Sequence, residues 1–318
     1  MKRCAIIDDY LECALGMADW PSLGDDVDVT TFKEHWAGED EVARKLAEFE
    51  IVCMMRERTP FPGSLIAKLP KLELLLTSGM RNFSIDTGAA KDHGVMVCGT
   101  PSLGYPTAEL TWGLILGLLR NIPVEDRSMR LGSWQRTVGY GLQGKTLGIL
   151  GLGRLGGQVA AVGQAFGMEV IAWSQNLTTE RCEEVGATLV DKDDLFARSD
   201  VFTIHLILGD RTRGLVQATD LTRLKPSAYF INTSRGPIVD EAALIDLLEN
   251  QRIAGAALDV YDVEPLPLDH PFRRLENTVI TPHLGYVSVE NYQGFYGGMV
   301  EDIRAWLAGE PIRVMNAG

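Results

Sequence analysis

Three observations predict an α/β fold with parallel sheets in two domains. Short apolar runs alternate with helical segments along almost the whole chain. One run, Thr146–Leu150, leads straight into a glycine-rich turn and then a helix. The 318 residues are enough for roughly two separate cores.

Cys4–Ile7 and Val27–Phe32 read as the first strands, and Asp8-Asp9 closes the former. Glu39–Phe49 is amphipathic, with Val42, Leu46 and Phe49 on one face. Ile51–Met55, Leu72–Leu76 and Val95–Cys98 are further strands, with helical segments such as Gly63–Lys68 between them. The Pro- and Gly-rich stretch Gly99–Pro106 crosses to the second domain. A helix opens at Thr107-Ala108-Glu109 and runs through Leu119, Val124–Met129 continues helical, and Gly132–Gly144 is irregular, with Trp134 and Tyr140. Strands follow at Thr146–Leu150, Glu169–Trp173, Thr188–Val190, Asp200–Leu206, Ala228–Ile231, Gly255–Leu258 and Thr278–Thr281. The helices between them are Gln158–Phe166, Thr179–Val185, Asp193–Arg198 and Glu241–Asn250. A last helix, Val289 to Leu307, is expected to return to the first domain, with Gly297-Gly298 marking close packing or a bend.

Composition narrows the function. The apolar share of 46% and charged share of 23% are those of an ordinary globular protein. A net charge of −13 argues against nucleic acid or an anionic membrane as partner. The first residues run directly into a strand and lack a signal-peptide apolar core, and Leu110–Leu119 is too short to span a bilayer. The five cysteines are scattered without CxxC spacing, so free thiols in a reducing cytoplasm are expected, with neither disulfides nor a metal site.

The organising stretch is Lys145–Gly157, KTLGILGLGRLGG. Gly151, Gly153 and Gly156 stand at GxGxxG spacing between a strand and a helix, the context a dinucleotide site requires. The first glycine allows a sharp turn, the second lets a pyrophosphate approach, and the third lets helix and strand pack closely. The end of the following strand decides between NAD and NADP. It carries Trp173-Ser174-Gln175-Asn176, with no acidic group to repel a 2′-phosphate and no Arg to attract one, although Arg181 lies a little further on. Both dinucleotides stay open, and NAD is favoured.

Three segments carry residues suited to reducing a 2-oxo acid: Asn232–Gly236 with Arg235, Asp259–Pro265 with Glu264, and Thr281–Gly285 with His283. Each follows a strand, so all three are expected at one sheet edge. Arg can fork onto a carboxylate and the adjacent carbonyl. A protonated His can donate to the forming alkoxide, and a neighbouring Glu favours that protonated ring. Singly, each has a plainer reading as salt-bridge partner, turn residue or structural hydrogen-bonder. His205, ending another strand, is expected to be structural. The loop Ser78-Gly79-Met80-Arg81 also follows a strand; it could hold a carboxylate on its N–H groups or be an ordinary strand-to-helix connection.

Taken together and in order, these motifs resemble the D-isomer-specific 2-hydroxyacid dehydrogenase family, which includes phosphoglycerate, glyoxylate/hydroxypyruvate and formate dehydrogenases. The likeness runs from Ser78-Gly79 through Pro101, Ala108-Glu109, GLGRLG, His205, NTSRG and DVYDVEP to TPHLG. It implies a flavodoxin-like substrate domain, 1–100 and 287–318, into which a Rossmann domain, 101–286, is inserted. It implies an NAD(P)-linked interconversion of a 2-oxo acid and a D-2-hydroxy acid. Arg235 would bind the substrate, Glu264 would partner His283, and His283 would be the general acid/base. The main chain at Ser78–Met80 would hold the substrate carboxylate. Gly151, Gly153, Arg154, Leu155, Gly156, Ser174, Thr233 and Asp259 would meet the cofactor, with Thr107 and Thr212 as further contacts. A homodimer through the nucleotide domains would place the Thr107 helix and the Trp134 loop at the interface. Ser174 in place of the usual acidic residue, Ile207 in place of a Pro, Met80-Arg81 and Tyr286 depart from the pattern. Arg81 is expected to favour a substrate with a second polar or anionic group. The alternative from another class is a nucleotide-sensing, corepressor-like binding protein without turnover.

Overall fold

The computed structural model describes residues 1–317, and the chain divides into two compact units. Unit 1 comprises Met1–Leu103 and the segment from Ser288, and unit 2 comprises Gly104–Val287. Unit 1 begins β1 (Lys2–Ile6), β2 (Val27–Thr31), α1 (Glu39–Leu46), β3 (Ile51–Met54), α2 (Gly63–Ile66), β4 (Leu74–Thr77), α3 (Thr87–Asp92) and β5 (Met96–Gly99). Unit 2 follows with α4 (Pro106–Leu119), α5 (Ile122–Arg130), β6 (Thr146–Leu150), α6 (Arg154–Ala165), β7 (Glu169–Trp173), α7 (Thr179–Glu184), β8 (Thr188–Leu189) and α8 (Lys192–Arg198). It continues through β9 (Val201–Ile204), α9 (Ala218–Leu221), β10 (Tyr229–Asn232), α10 (Glu241–Glu249), β11 (Gly255–Leu258) and β12 (Thr278–Ile280). The last helix, α11 (Val289–Leu307), belongs to unit 1.

Among the described residues the strands form two parallel sheets, ordered β2-β1-β3-β4-β5 and β12-β11-β10-β9-β6-β7-β8. In the second sheet chain order reverses between β6 and β9, and in the first between β1 and β3. Such reversals open a crevice at the carboxyl ends of the strands, where open α/β sheets bind ligands.

The strands of unit 2 bury both faces, with the period of two that a pleated strand imposes. Leu150, Phe202, Ile204, Phe230, Ala256 and Leu258 pack in one core layer. Leu147, Ile149, Val201, Ile231 and Ala257 pack in the opposite one. Phe196, Phe202 and Phe230 stack in the first layer, with ring centroids 4.4 and 5.4 Å apart. Unit 1 packs Ala5, Val52, Met54, Leu75 and Val97 against Val42 and Leu46 of α1 and Leu65 and Ile66 of α2. The segment around Val314 pairs antiparallel with Cys98 of β5, where the Gly99 N–H donates to the Arg313 carbonyl and the Met315 N–H to the Val97 carbonyl.

One expectation is corrected and one open alternative is decided. Helix α6 starts at Arg154, not Gln158, because Gly153 serves as its N-cap and Gly156-Gly157 lie inside its first turns. Glycine lowers local helix preference, which hides this turn from a propensity reading. Helix α11 runs unbroken through Gly297-Gly298. A Cβ on Gly298 would lie 3.0 Å from Thr100 Cβ, so that glycine serves close packing rather than a bend. Among the described residues no helix is long and apolar enough to cross a membrane.

Candidate active site

The glycine-rich turn sits at the crevice of the seven-stranded sheet. Gly151 has φ +101°, a conformation L side chains rarely adopt, and a Cβ there would lie 2.7 Å from the His205 carbonyl oxygen. A Cβ on Gly156 would collide with the Gly151 carbonyl oxygen, which is the close helix–turn approach the motif requires. The start of α6 has no side-chain cap and no acidic residue in its first turn. Its first N–H groups lack intrahelical acceptors and carry the positive end of the helix dipole. This cradle fits a dinucleotide pyrophosphate. Arg154 is exposed beside it, its guanidinium lying where a Cβ of Gly104 would go. Leu155 turns its side chain into the core and leaves its main chain to the turn. Ser174 stands half-buried just past β7.

Arg235, Glu264 and His283 follow β10, β11 and β12, which are neighbours in register: Asn232 faces Leu258, and Leu258 faces Ile280. All three therefore emerge at one carboxyl edge. His283 Nδ1 lies 2.6 Å from Glu264 Oε2, and the other Glu264 oxygen accepts the Tyr261 N–H at 2.9 Å. Glu264 is thus held on both sides. Its bond to Nδ1 fixes the ring and leaves Nε2 as the nitrogen not engaged by Glu264. His283 has φ +55°, unusual for a non-glycine residue and costing roughly 1–2 kcal/mol. Tyr286 meets the ring edge-on, with centroids 5.4 Å apart. Arg235 Nη1 donates to the Ser234 carbonyl at 2.7 Å, and Asn232 Nδ2 donates to the Arg235 carbonyl at 3.1 Å.

Asp259 is fully buried and grips the histidine loop. Its Oδ1 accepts from Thr281 Oγ1 at 2.6 Å and the Leu284 N–H at 2.7 Å, and its Oδ2 accepts the Gly285 N–H at 2.8 Å. Burial pushes its carboxyl above the usual range, while the bonds from Thr281 and Leu284 pull it down. Asp259, expected to meet the cofactor, also anchors the turn that carries His283. Thr107 and Thr233 make bonds within the protein as well. Thr107 Oγ1 donates to the Gly285 carbonyl at 2.8 Å, and Thr233 Oγ1 pairs with Thr111 Oγ1 at 2.8 Å. Thr212 closes its own loop, donating to the Ile207 carbonyl at 2.7 Å. His205 pairs through Nε2 with Thr203 Oγ1 at 3.0 Å, and burial pushes its pKa down to about 4. Both features fit the structural reading its sequence position suggested.

In unit 1, the loop after β4 meets the loop after β3. Gly79 has φ +91°, and its N–H is spent on Thr100 Oγ1 at 3.2 Å. Ser78 is wholly buried, and its hydroxyl accepts the Arg56 N–H at 2.8 Å. Among the described residues the N–H groups this loop leaves for a carboxylate are those of Met80 and Arg81, one step beyond the expected Ser78–Met80 stretch. Met80 and Arg81 are exposed. The sequence reading missed Arg56, whose Nη1 donates to the Ser78 carbonyl at 3.1 Å and lies against Gly79. The signal was available, since Arg56 also falls in a loop after a strand.

A family model described as D-isomer specific 2-hydroxyacid dehydrogenase, NAD binding domain, matches residues 112–285. The chain is 36% identical over 277 residues to an Archaeoglobus fulgidus D-3-phosphoglycerate dehydrogenase, an alignment covering 86% of this chain and 52% of that one. It is 40% identical over 229 residues to an Aeropyrum pernix glyoxylate reductase, covering 69% and 68% of the two chains. Among solved structures, a Vibrio cholerae O395 phosphoglycerate oxidoreductase superposes with TM-score 0.92 at 35% identity, covering 97% of this chain and 100% of that one. A Ralstonia solanacearum structure superposes with TM-score 0.94 at 36% identity, covering 99% and 97%. The chain spans about half the length of the curated phosphoglycerate dehydrogenases it matches.

Proposed function

Because the chain belongs to the D-isomer-specific 2-hydroxyacid dehydrogenase family, we propose that it interconverts a 2-oxo acid and a D-2-hydroxy acid, with a nicotinamide dinucleotide as redox partner and His283 as general acid/base. The observation that carries this reading is the His283–Glu264 pair at 2.6 Å, on the same sheet edge as the glycine-rich turn. The dinucleotide, when bound, exchanges a hydride at the nicotinamide ring.

This chain's residues do the rest. The α6 N-terminus and the turn Gly151–Gly156 hold the pyrophosphate, with Arg154 at hand. Arg235, in the loop after β10, is the proposed ligand of the substrate carboxylate and carbonyl oxygen, as a forked guanidinium suits. His283 keeps its Nδ1 proton on Glu264, so the exchanged proton resides on Nε2. During reduction Nε2 gives that proton to the forming alkoxide, and during oxidation it takes one from the hydroxyl.

The test is nicotinamide oxidation at fixed enzyme with glyoxylate, hydroxypyruvate, pyruvate and bulkier or dianionic oxo acids. Turnover on at least one supports the reading, and Arg81→Ala should narrow any preference for a dianion. Dinucleotide binding with no turnover across the panel would favour the sensor alternative. We further propose a homodimer through unit 2, supported by an irregular arm that exposes 74% of Trp134 and 92% of Val138 beside the exposed Ile122 and Val124 of α5.

A further inference from the structure

We propose that Arg181 selects the 2′-phosphorylated dinucleotide, so that this chain takes NADP(H) in preference to NAD(H). The inference rests on the dinucleotide reading above and deepens it. An acidic residue at the end of the second Rossmann strand bonds the ribose hydroxyls and repels a 2′-phosphate. Here β7 ends at Trp173, and Ser174, Gln175 and Asn176 follow, all uncharged. That corner therefore carries no barrier to a phosphate and offers a hydroxyl and two amides as donors.

The structure brings the missing cation in from α7. Arg181 Nε donates to the Leu152 carbonyl at 3.2 Å, and its Nη2 reaches the Gly153 carbonyl at 3.5 Å. Both acceptors lie inside the glycine-rich turn. A Cβ on Gly157, in the first turns of α6, would lie 3.1 Å from the same Nη2. The guanidinium thus lies against the turn that receives the pyrophosphate. It is also on the helix next after the residue that would face the ribose. The corner between turn and strand end folds back on itself, the Leu177 N–H donating to the Ser174 carbonyl at 3.1 Å.

Three carboxylates share α7 with this arginine: Glu180, Glu183 and Glu184. Glu184 Oε2 accepts Arg181 Nη1 at 2.8 Å. Glu180 is bound to Thr178, whose Oγ1 also caps the helix at the Arg181 N–H. A 2′-phosphate, with two charges against one, outcompetes Glu184 for Nη1 while the carbonyl bonds hold the guanidinium in place. The sequence favoured NAD because no arginine stood in the strand-end tetrapeptide. The fold supplies one from outside it.

The test is equilibrium binding of NADPH and NADH to the full chain, read by nicotinamide fluorescence, with 2′,5′-ADP and 5′-AMP as competing probes. Wild type should bind NADPH at least about tenfold more tightly than NADH, and 2′,5′-ADP more tightly than 5′-AMP. Arg181→Gln should weaken NADPH by roughly ten- to a hundredfold and leave NADH within about threefold. Glu184→Gln should tighten NADPH alone, and Ser174→Asp should turn the preference to NADH. Retained 5′-AMP binding shows that Arg181→Gln is folded. The proposal is overturned if wild type binds NADH as tightly as NADPH. It is also overturned if Arg181→Gln weakens both equally, since the guanidinium would then only brace the turn. If wild type binds neither, the dinucleotide reading itself fails, a result distinct from loss of selectivity.

Discussion

Two histidines follow strands of the seven-stranded sheet, and their surroundings differ. His283 stands on a left-handed residue with its ring tied through Nδ1 to Glu264. His283→Gln should cut kcat for oxo-acid reduction by about 10²–10⁴-fold while the Kd for reduced cofactor is unchanged. Stopped-flow turnover with parallel fluorescence titration checks both. Glu264→Gln should keep the ring in place and give a smaller loss of kcat. His205 is held neutral by burial, with a pKa of about 4 against an ordinary 6.5. The unfolded chain protonates it below about 6.5, whereas the folded chain resists until about 4. Its contribution is therefore neutral above that window, and stability falls as pH drops from 6.5 toward 4, by about 3 kcal/mol. His205→Asn should lower Tm at pH 8 but flatten the loss between pH 6.5 and 4.5, measured by thermal melts of both proteins.

At the scale of elements, the turn after β12 depends on a carboxylate from the neighbouring strand. Asp259 receives the Thr281 hydroxyl and two backbone N–H groups of the loop that carries His283. Asp259→Asn cannot accept all three bonds in the same geometry, because one oxygen becomes a donor. Amide hydrogen exchange at Leu284 and Gly285 should quicken, with kcat falling about 10–100-fold. Unchanged exchange at those amides would remove the anchoring role. This bond pattern was not legible in the sequence, which placed Asp259 correctly in its motif but gave no sign of what its oxygens face. The same holds for Gly79. Its turn was readable, yet the capture of its N–H by Thr100 depends on β4 and β5 lying side by side.

Across the whole molecule, Arg235, Glu264 and His283 span nearly fifty positions of the chain and reach one edge only because β10, β11 and β12 are consecutive parallel neighbours. Each crossover returns the chain so that neighbouring strands run parallel, and a residue just past any strand arrives at the carboxyl edge. That rule made the site legible before any contact was known. The exposed arm of unit 2 supports a prediction at this scale. Sedimentation should show a dimer at micromolar concentration, and Trp134→Glu with Val138→Asp should shift it to monomer. A wild-type monomer at that concentration would sink the dimer proposal.

The sequence by itself determined which segments are strands and helices, where the glycine-rich turn lies, and which Arg, Glu and His follow the strands of unit 2. These follow from local periodicity and spacing, because a strand's alternation and a glycine's freedom are written in neighbouring residues. Only the tertiary structure decided what each polar group faces. Asp259 holds a loop, Thr107 and Thr233 bond within the protein, Arg56 braces Ser78, and Arg181 reaches the phosphate turn. A hydrogen bond between residues far apart in sequence is set by strand order and helix placement, which no local pattern encodes.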